Sequence, residues 1–167
     1  MSFHKFNRIL LPALILFCLK GATQTPAEQK KADAYAQLKS WIESKKFRFK
    51  AQSATPQRGR TINLTTEYFL QINNDSLSVE LPYYGRAYSP SYPGTNSPLS
   101  FKSTHFSYVA DTLKKGGWNI QILPKDNTDV NKINLEITTS GYCTVRVSSN
   151  TRDMISFYGT IAQYGMR

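Results

Sequence analysis

Four residues with chemistry-bearing side chains fall within nine positions: Ser103, His105, Ser107 and Asp111. A serine beside an imidazole is the core of an acyl-transfer site, but the imidazole needs a third group to orient it. Period-two alternation puts Ser103, His105 and Ser107 on one face of a strand, opposite Phe106 and Tyr108. No neighbouring residue marks the orienting group, so His105 reads as a solvated surface histidine. Glu67, Glu80 and Glu136 offer carboxylates for acid–base work, yet each lies opposite the apolar parity of its strand. Those are outward, solvated positions. Cys143 shares parity with Val145 and Val147 and reads as a small core residue, not a nucleophile. Beyond the first residues the chain has one histidine and one cysteine, which cannot build a zinc or copper site of familiar spacing. There is no Gly-x-Ser-x-Gly elbow, phosphate loop or dinucleotide fingerprint. No catalytic residue, metal or cofactor is assigned, and an enzyme is unsupported.

The stretch LPYYGRAYSPSYPGTNSPLSF, residues 81–101, carries four of the ten tyrosines and four of the eight prolines. Proline fixes φ and removes a donor, which forbids a central strand there. Gly85 and Gly94 allow tight reversals. A stiff, irregular loop is expected. Tyrosine wants its ring buried and its hydroxyl partnered, so two readings compete. The tyrosines fold back to plug a barrel end or sheet edge. Otherwise they line a pocket mouth or sugar-stacking platform, with Tyr83, Tyr84, Arg86, Tyr88 and Tyr92 as ligand-binding candidates.

These residues need elements to hold them. Thr25-Pro26-Ala27-Glu28 is a capping box with proline at the first helical position. Ala34, Tyr35, Leu38, Trp41 and Ile42 follow at helical spacing, and Lys45 and Lys46 suit the helix's negative end. This predicts an amphipathic helix within residues 24–46. Alternation then takes over and persists. Phe47, Phe49 and Ala51 start it. Hairpins are predicted around Asn73–Asp75, Lys114–Gly117 and Ser140–Gly141, and Ile155, Phe157 and Ile161 form a last strand. The expected fold is mainly β: residues 47–167 form one antiparallel domain of about eight strands, a barrel-like (lipocalin-like) closure or a sandwich, after one N-terminal helix.

The N-terminal residues predict export. Lys5 and Arg8 precede the apolar run Ile9–Leu19, and Gly21 and Thr23 are small residues spaced for signal peptidase, so residues 1–23 read as a signal peptide. The eleven-residue run is short of the ~20 residues that span a bilayer. Cys18 offers a lipoprotein alternative, but bulky Phe17 precedes it, so ordinary cleavage is favoured. Eighteen basic and eleven acidic residues would remain, a charge of +7. That suits a soluble surface, or an anionic envelope surface met by Lys30, Lys31, Lys39, Lys45, Lys46, Arg48 and Lys50. Nucleic acid is an unexpected partner for an exported chain.

FRFKAQSATPQRGRTINLTTEYFLQINNDSLSVELPYYGRAYS, GWNIQI and SGYCTVRVSSNTRDMISFYGTI together resemble the family called domain of unknown function 4251. The resemblance runs from about Phe47 to Ile161, carried mostly by Leu81–Gly85 and Ile155–Gly159. It implies a small exported β-rich protein of the bacterial envelope, in the periplasm or at the outer membrane, and no activity. The family's members come mainly from Bacteroidetes, whose exported proteins are often O-glycosylated at Asp-Ser/Thr followed by an apolar residue, so the resemblance makes Ser76 and Thr112 candidate acceptors. The functional expectation is a non-enzymatic module binding a small apolar or amphiphilic ligand or a glycan. The rivals are an envelope interaction protein using the basic helix and a sheet edge, and a carboxylate-based hydrolase.

Overall fold

The computed structural model describes residues 25–88 and 98–165. Helix α1 (Pro26–Glu43) precedes nine strands: β1 (Lys46–Pro56), β2 (Ile62–Asn73), β3 (Ser76–Leu81), β4 (Leu99–Ser103), β5 (Phe106–Thr112), β6 (Trp118–Pro124), β7 (Val130–Ile137), β8 (Tyr142–Ser149) and β9 (Ile155–Gln163). The helix starts as its capping box requires. The Thr25 backbone N–H donates to Glu28 Oε2 at 3.1 Å, and the Thr25 hydroxyl donates to the same oxygen at 2.9 Å. Those two bonds hold the Glu28 carboxyl below its ordinary pKa. The helix stops earlier than its basic pair suggests. Lys45 sits in a left-handed turn with φ 52°, and Lys46 opens β1, so neither is in the last helical turn. Only Leu38 and Ile42 of α1 are buried, and residues 25–34 are exposed.

All strand pairs are antiparallel, in the order β4-β3-β2-β1-β9-β8-β7-β6-β5. The strands run as a meander except that β1 lies between β2 and β9. The registers make β4 and β5 point the same way round the ring, and only Thr104 and His105 separate them. The segment is therefore one bent strand: its first part pairs with β3 and its second with β6. This brings the two sheet edges together in a nearly closed barrel and excludes the sandwich. The bend also makes the strand count nine where about eight were expected.

The bend is pinned by the β6–β7 turn. Ser103 Oγ donates to Asp126 Oδ1 at 2.5 Å, the Thr104 N–H donates to Asp126 Oδ2 at 3.1 Å, and the Lys125 N–H donates to the His105 carbonyl at 2.7 Å. The link is one residue longer than alternation allows, which reverses the parity of the strand. Leu99 and Ser103 face inward before the bend, and Phe106 and Tyr108 after it. The expectation that Ser103, His105 and Ser107 share one face is thus corrected: Ser103 is 1% exposed while the His105 side chain is 78% exposed.

Inside, alternation delivers a filled core. Phe47, Phe49, Leu70, Ile72, Val79 and Ile120 have no solvent exposure, nor do Ile122, Ile133, Leu135 and Val145. Aromatic and branched side chains from every quarter of the ring occupy the lumen, as in small barrels generally. Helix α1 seals one end: Tyr35 stacks on Trp118 with centroids 5.2 Å apart, and the Tyr108 hydroxyl donates to the Ile42 carbonyl at 3.2 Å. The β2–β3, β5–β6 and β7–β8 turns share this end. The β1–β2, β6–β7 and β8–β9 turns, and the chain leaving β3, lie at the other.

Candidate functional site

The tyrosine-rich loop is stitched to the β8–β9 turn. Its first residues, 82–88, make an isolated bridge between Ala87 and Arg152. The Tyr88 N–H donates to the Thr151 carbonyl at 2.7 Å, and the Asp153 N–H donates to the Arg86 carbonyl at 3.0 Å. Tyr83 is 2% exposed, and its hydroxyl lies 2.8 Å from the Arg86 carbonyl and 3.0 Å from the Asp153 carbonyl, sharing its one proton between them. Burial, reinforced by the Asp153 charge, pushes the Tyr83 phenol up to about 12. Tyr88 is exposed and its hydroxyl donates to the Asp153 carboxylate, which raises the Tyr88 pKa. Tyr84 is half-buried and Arg86 exposed. Tyr92 lies outside the described residues.

Arg152 is the post to which this loop is tied. Its guanidinium sits 5.1 Å from the Tyr83 ring centroid, and Nε lies 3.1 Å from Asp129 Oδ2. The two side chains are 2% and 14% exposed. The other Asp129 oxygen accepts the hydroxyls of Ser149 and Thr151. Asn127 Oδ1 shapes the same turn by accepting the N–H groups of Asp129 and Val130, each at 2.8 Å.

β4 pairs on one side only, with β3, because pairing with β6 begins at Phe106, so its other edge faces this turn without a ladder. The gap is a polar notch of about 240 Å³. Asp126, Asn127, Asp129 and Arg152 form one wall, and Ser100 and the half-buried ring of Phe101 the other. The notch is smaller than the ~300–1,000 Å³ of pockets for drug-sized ligands, and fits a single ring of sugar size. Its hydrogen bonds hold the Asp126 carboxyl below the ordinary range, first that from Ser103 and also that from the Thr104 N–H.

Histidine, serine and carboxylate do meet here, in an order that is wrong for a nucleophile. His105 Nδ1 is 3.9 Å from Asp126 Oδ2, while Ser103 gives its proton to Asp126 directly. The carboxylate stands between serine and imidazole, so the imidazole cannot activate the serine. The outward glutamates serve the sheet exterior. Glu67 pairs with Arg48 at 3.6 Å and Lys50 at 3.9 Å, Glu136 with Arg146 at 3.3 Å, and Glu80 accepts the Ser100 hydroxyl at 2.9 Å. Cys143 is 1% exposed, and burial pushes its thiol pKa far above the ordinary value, so it stays a thiol. Among the described residues no three His, Cys, Asp or Glu side chains gather as metal ligands. Ser76 and Thr112 are both exposed at the helix-capped end.

Sequence reasoning missed Phe101, Asp126, Asn127, Asp129 and Arg152 as neighbours. Asp126, Asn127 and Asp129 carried a signal, since all three are turn formers. Nothing in the SSNTRD segment distinguishes a buried arginine from a solvated one.

A family model described as domain of unknown function (DUF4251) matches residues 29–161. Among curated proteins none matches. Among solved structures the chain is similar to a DUF4251 family protein from Bacteroides eggerthii, with a TM-score of 0.62 and 19% sequence identity. That match covers 81% of this chain and 91% of the other, and it shows the shared fold.

Proposed function

This chain belongs to the DUF4251 family, and from that premise we propose a non-enzymatic recognition module that holds one sugar unit of a glycan in the seam notch. The observation that carries the reading is the contrast between a lumen filled by side chains and a polar notch on its wall. A filled barrel leaves an apolar ligand no cup, so recognition belongs outside. The Asp126 carboxylate keeps acceptor capacity for sugar hydroxyls, and Phe101 offers an apolar face for the ring's C–H side. Arg86 and Tyr88 flank the Ala87 bridge to Arg152, which lines the notch, and are further contacts for a longer glycan. The same geometry speaks against a hydrolase. A general acid needs a raised pKa, whereas Asp126 is lowered and Asp129 is tied to an arginine and two hydroxyls.

The test is NMR titration of the labelled protein with glucose, galactose, N-acetylglucosamine and glucuronate, singly and as short oligomers. Shifts at Phe101, Asn127 and neighbouring amides, weakened about tenfold or more in Phe101→Ala, are expected. Shifts elsewhere, or indifference to that variant, overturn the reading. The proposed location is the bacterial envelope, reached by export and supported by the charge and apolar pattern of residues 1–23. N-terminal sequencing of protein from its host should begin near residue 24, and an intact Met1 would refute export by cleavage.

A further inference from the structure

We infer that the helix-capped end of the barrel docks on an anionic lipid surface. The inference concerns the end opposite the notch and does not depend on the notch binding sugar. The basic cluster expected from the helix and first strand is divided by the fold. Lys39 pairs with Glu43 at 3.7 Å, Arg48 and Lys50 pair with Glu67, and Lys45 lies 5.3 Å from the Tyr108 ring centroid. Lys30 and Lys31 remain on the exposed first turns of α1, and Lys46 at the exposed start of β1, with no ion pair among the described residues. A second lysine pair that the sequence presents only as a hairpin turn joins them. Lys114 and Lys115 lie in the β5–β6 turn, exposed and likewise without an ion pair among the described residues.

Two grooves connect the pairs. One lies between α1 and the β7–β8 turn, lined by Ala27, Lys30, Lys31, Ala34, Tyr35 and Thr139. The other lies between that turn and the β5–β6 turn, lined by Leu113, Lys114, Lys115, Ile137 and Thr139. Thr139 belongs to both, so four lysines surround one mostly apolar depression. Leu113 is 37% exposed and Val109 52% exposed beside it. The acidic groups nearby do not cancel the lysines. Glu136 is held by Arg146, Glu28 is engaged by Thr25, and Asp33, Asp75 and Asp111 are three exposed carboxylates at this end against the five exposed lysines Lys30, Lys31, Lys46, Lys114 and Lys115.

This pairing of chemistry selects the occupant. Nucleic acid would use the lysines and leave the apolar floor uncovered. An anionic bilayer uses both. Lysines reach phosphates while their stems lie along apolar surface, and Leu113, Tyr35 and the alanines enter the headgroup boundary as amphipathic helices do. A lysine near such a surface contributes about five-fold in partitioning, and the attraction fades within a Debye length of ~10 Å at 0.1 M salt.

The test uses the chain as its host releases it, floated with phosphatidylglycerol-containing vesicles and with pure phosphatidylcholine vesicles. Binding to the anionic vesicles alone, lost on raising salt from about 0.05 to 0.5 M, is expected. Lys114→Gln/Lys115→Gln should lower it on the order of 25-fold, with Lys30→Gln/Lys31→Gln similar. Leu113→Asp should lower it further than loss of one lysine does. Lys125→Gln/Lys132→Gln removes the same charge at the opposite end and should leave binding unchanged. All these side chains are exposed, so thermal unfolding should match the parent. No anionic preference, or equal loss in the Lys125/Lys132 control, overturns the inference. So does binding to soluble heparin without binding to vesicles, which would name an acidic polymer instead. None of these outcomes bears on the sugar titration.

Discussion

Single side chains decide the notch end. Arg152 and Asp129 are buried together, and removing one leaves the other's charge without its partner. Arg152→Met should cost ~3–5 kcal/mol in denaturant unfolding. Arg152→Met with Asp129→Asn should cost less than the two single changes summed, because no uncompensated charge remains. Asp126 makes a pH prediction. Its folded pKa lies below the ordinary 3.8, so its contribution is present above 3.8 and is lost as pH falls through the lowered value. Amide exchange at Thr104 should therefore quicken on acidification below 3.8, relative to exchange at Leu135, and unchanged protection would disprove the pin. At this scale the sequence was only partly legible. Tyr83 was visible as an aromatic in a loop, but burial and the stacked guanidinium depend on Arg152, some 70 residues away. Ser103 and His105 were visible too, and the parity reversal that separates them was not.

Elements were more legible, because alternation and turn chemistry are local. Every predicted hairpin is present: the turn at Asn74 takes φ 53° and that at Gly141 takes φ 83°, the left-handed values tight reversals require. The β1–β9 junction was invisible, since it joins residues about 100 or more apart with no local mark. One position shows how closely it fits. Gly159 faces Ala51 across the β1–β9 ladder, and a Cβ there would run into the Lys50 carbonyl and the Phe49 ring. Gly159→Ala should destabilise by on the order of 1–3 kcal/mol, as overpacking does. The measurement is the urea midpoint, with Gly165→Ala as comparison: no atom lies within 4 Å of the added carbon there, and only its left-handed φ of 83° opposes a side chain. Gly159 has no left-handed φ, so its loss reports the contact alone, and an unchanged midpoint in Gly159→Ala would overturn the prediction.

The whole molecule has two ends with different chemistry. A helix whose Lys30 and Lys31 have no ion pair among the described residues seals one, and a polar notch and a stitched tyrosine loop finish the other. Composition could give neither. Net charge does not say which lysines the fold will neutralise, and an apolar inward face looks the same in a hollow barrel as in a filled one. What filled the lumen here is the placement of Phe47, Phe49 and Phe157 on neighbouring strands.

The position of β1 between β2 and β9 also bears on how the chain reaches its shape. A ribosome delivers β1 first and β9 last, so β1 waits with one edge bare until nearly all of the protein has been made. Hairpins form early from neighbours, but the ring stays open and Phe47 and Phe49 stay wet on that side. Such non-local pairing makes folding slow. A chain that cannot close before it is finished is one that transport machinery, or a chaperone, can still hold as a thread.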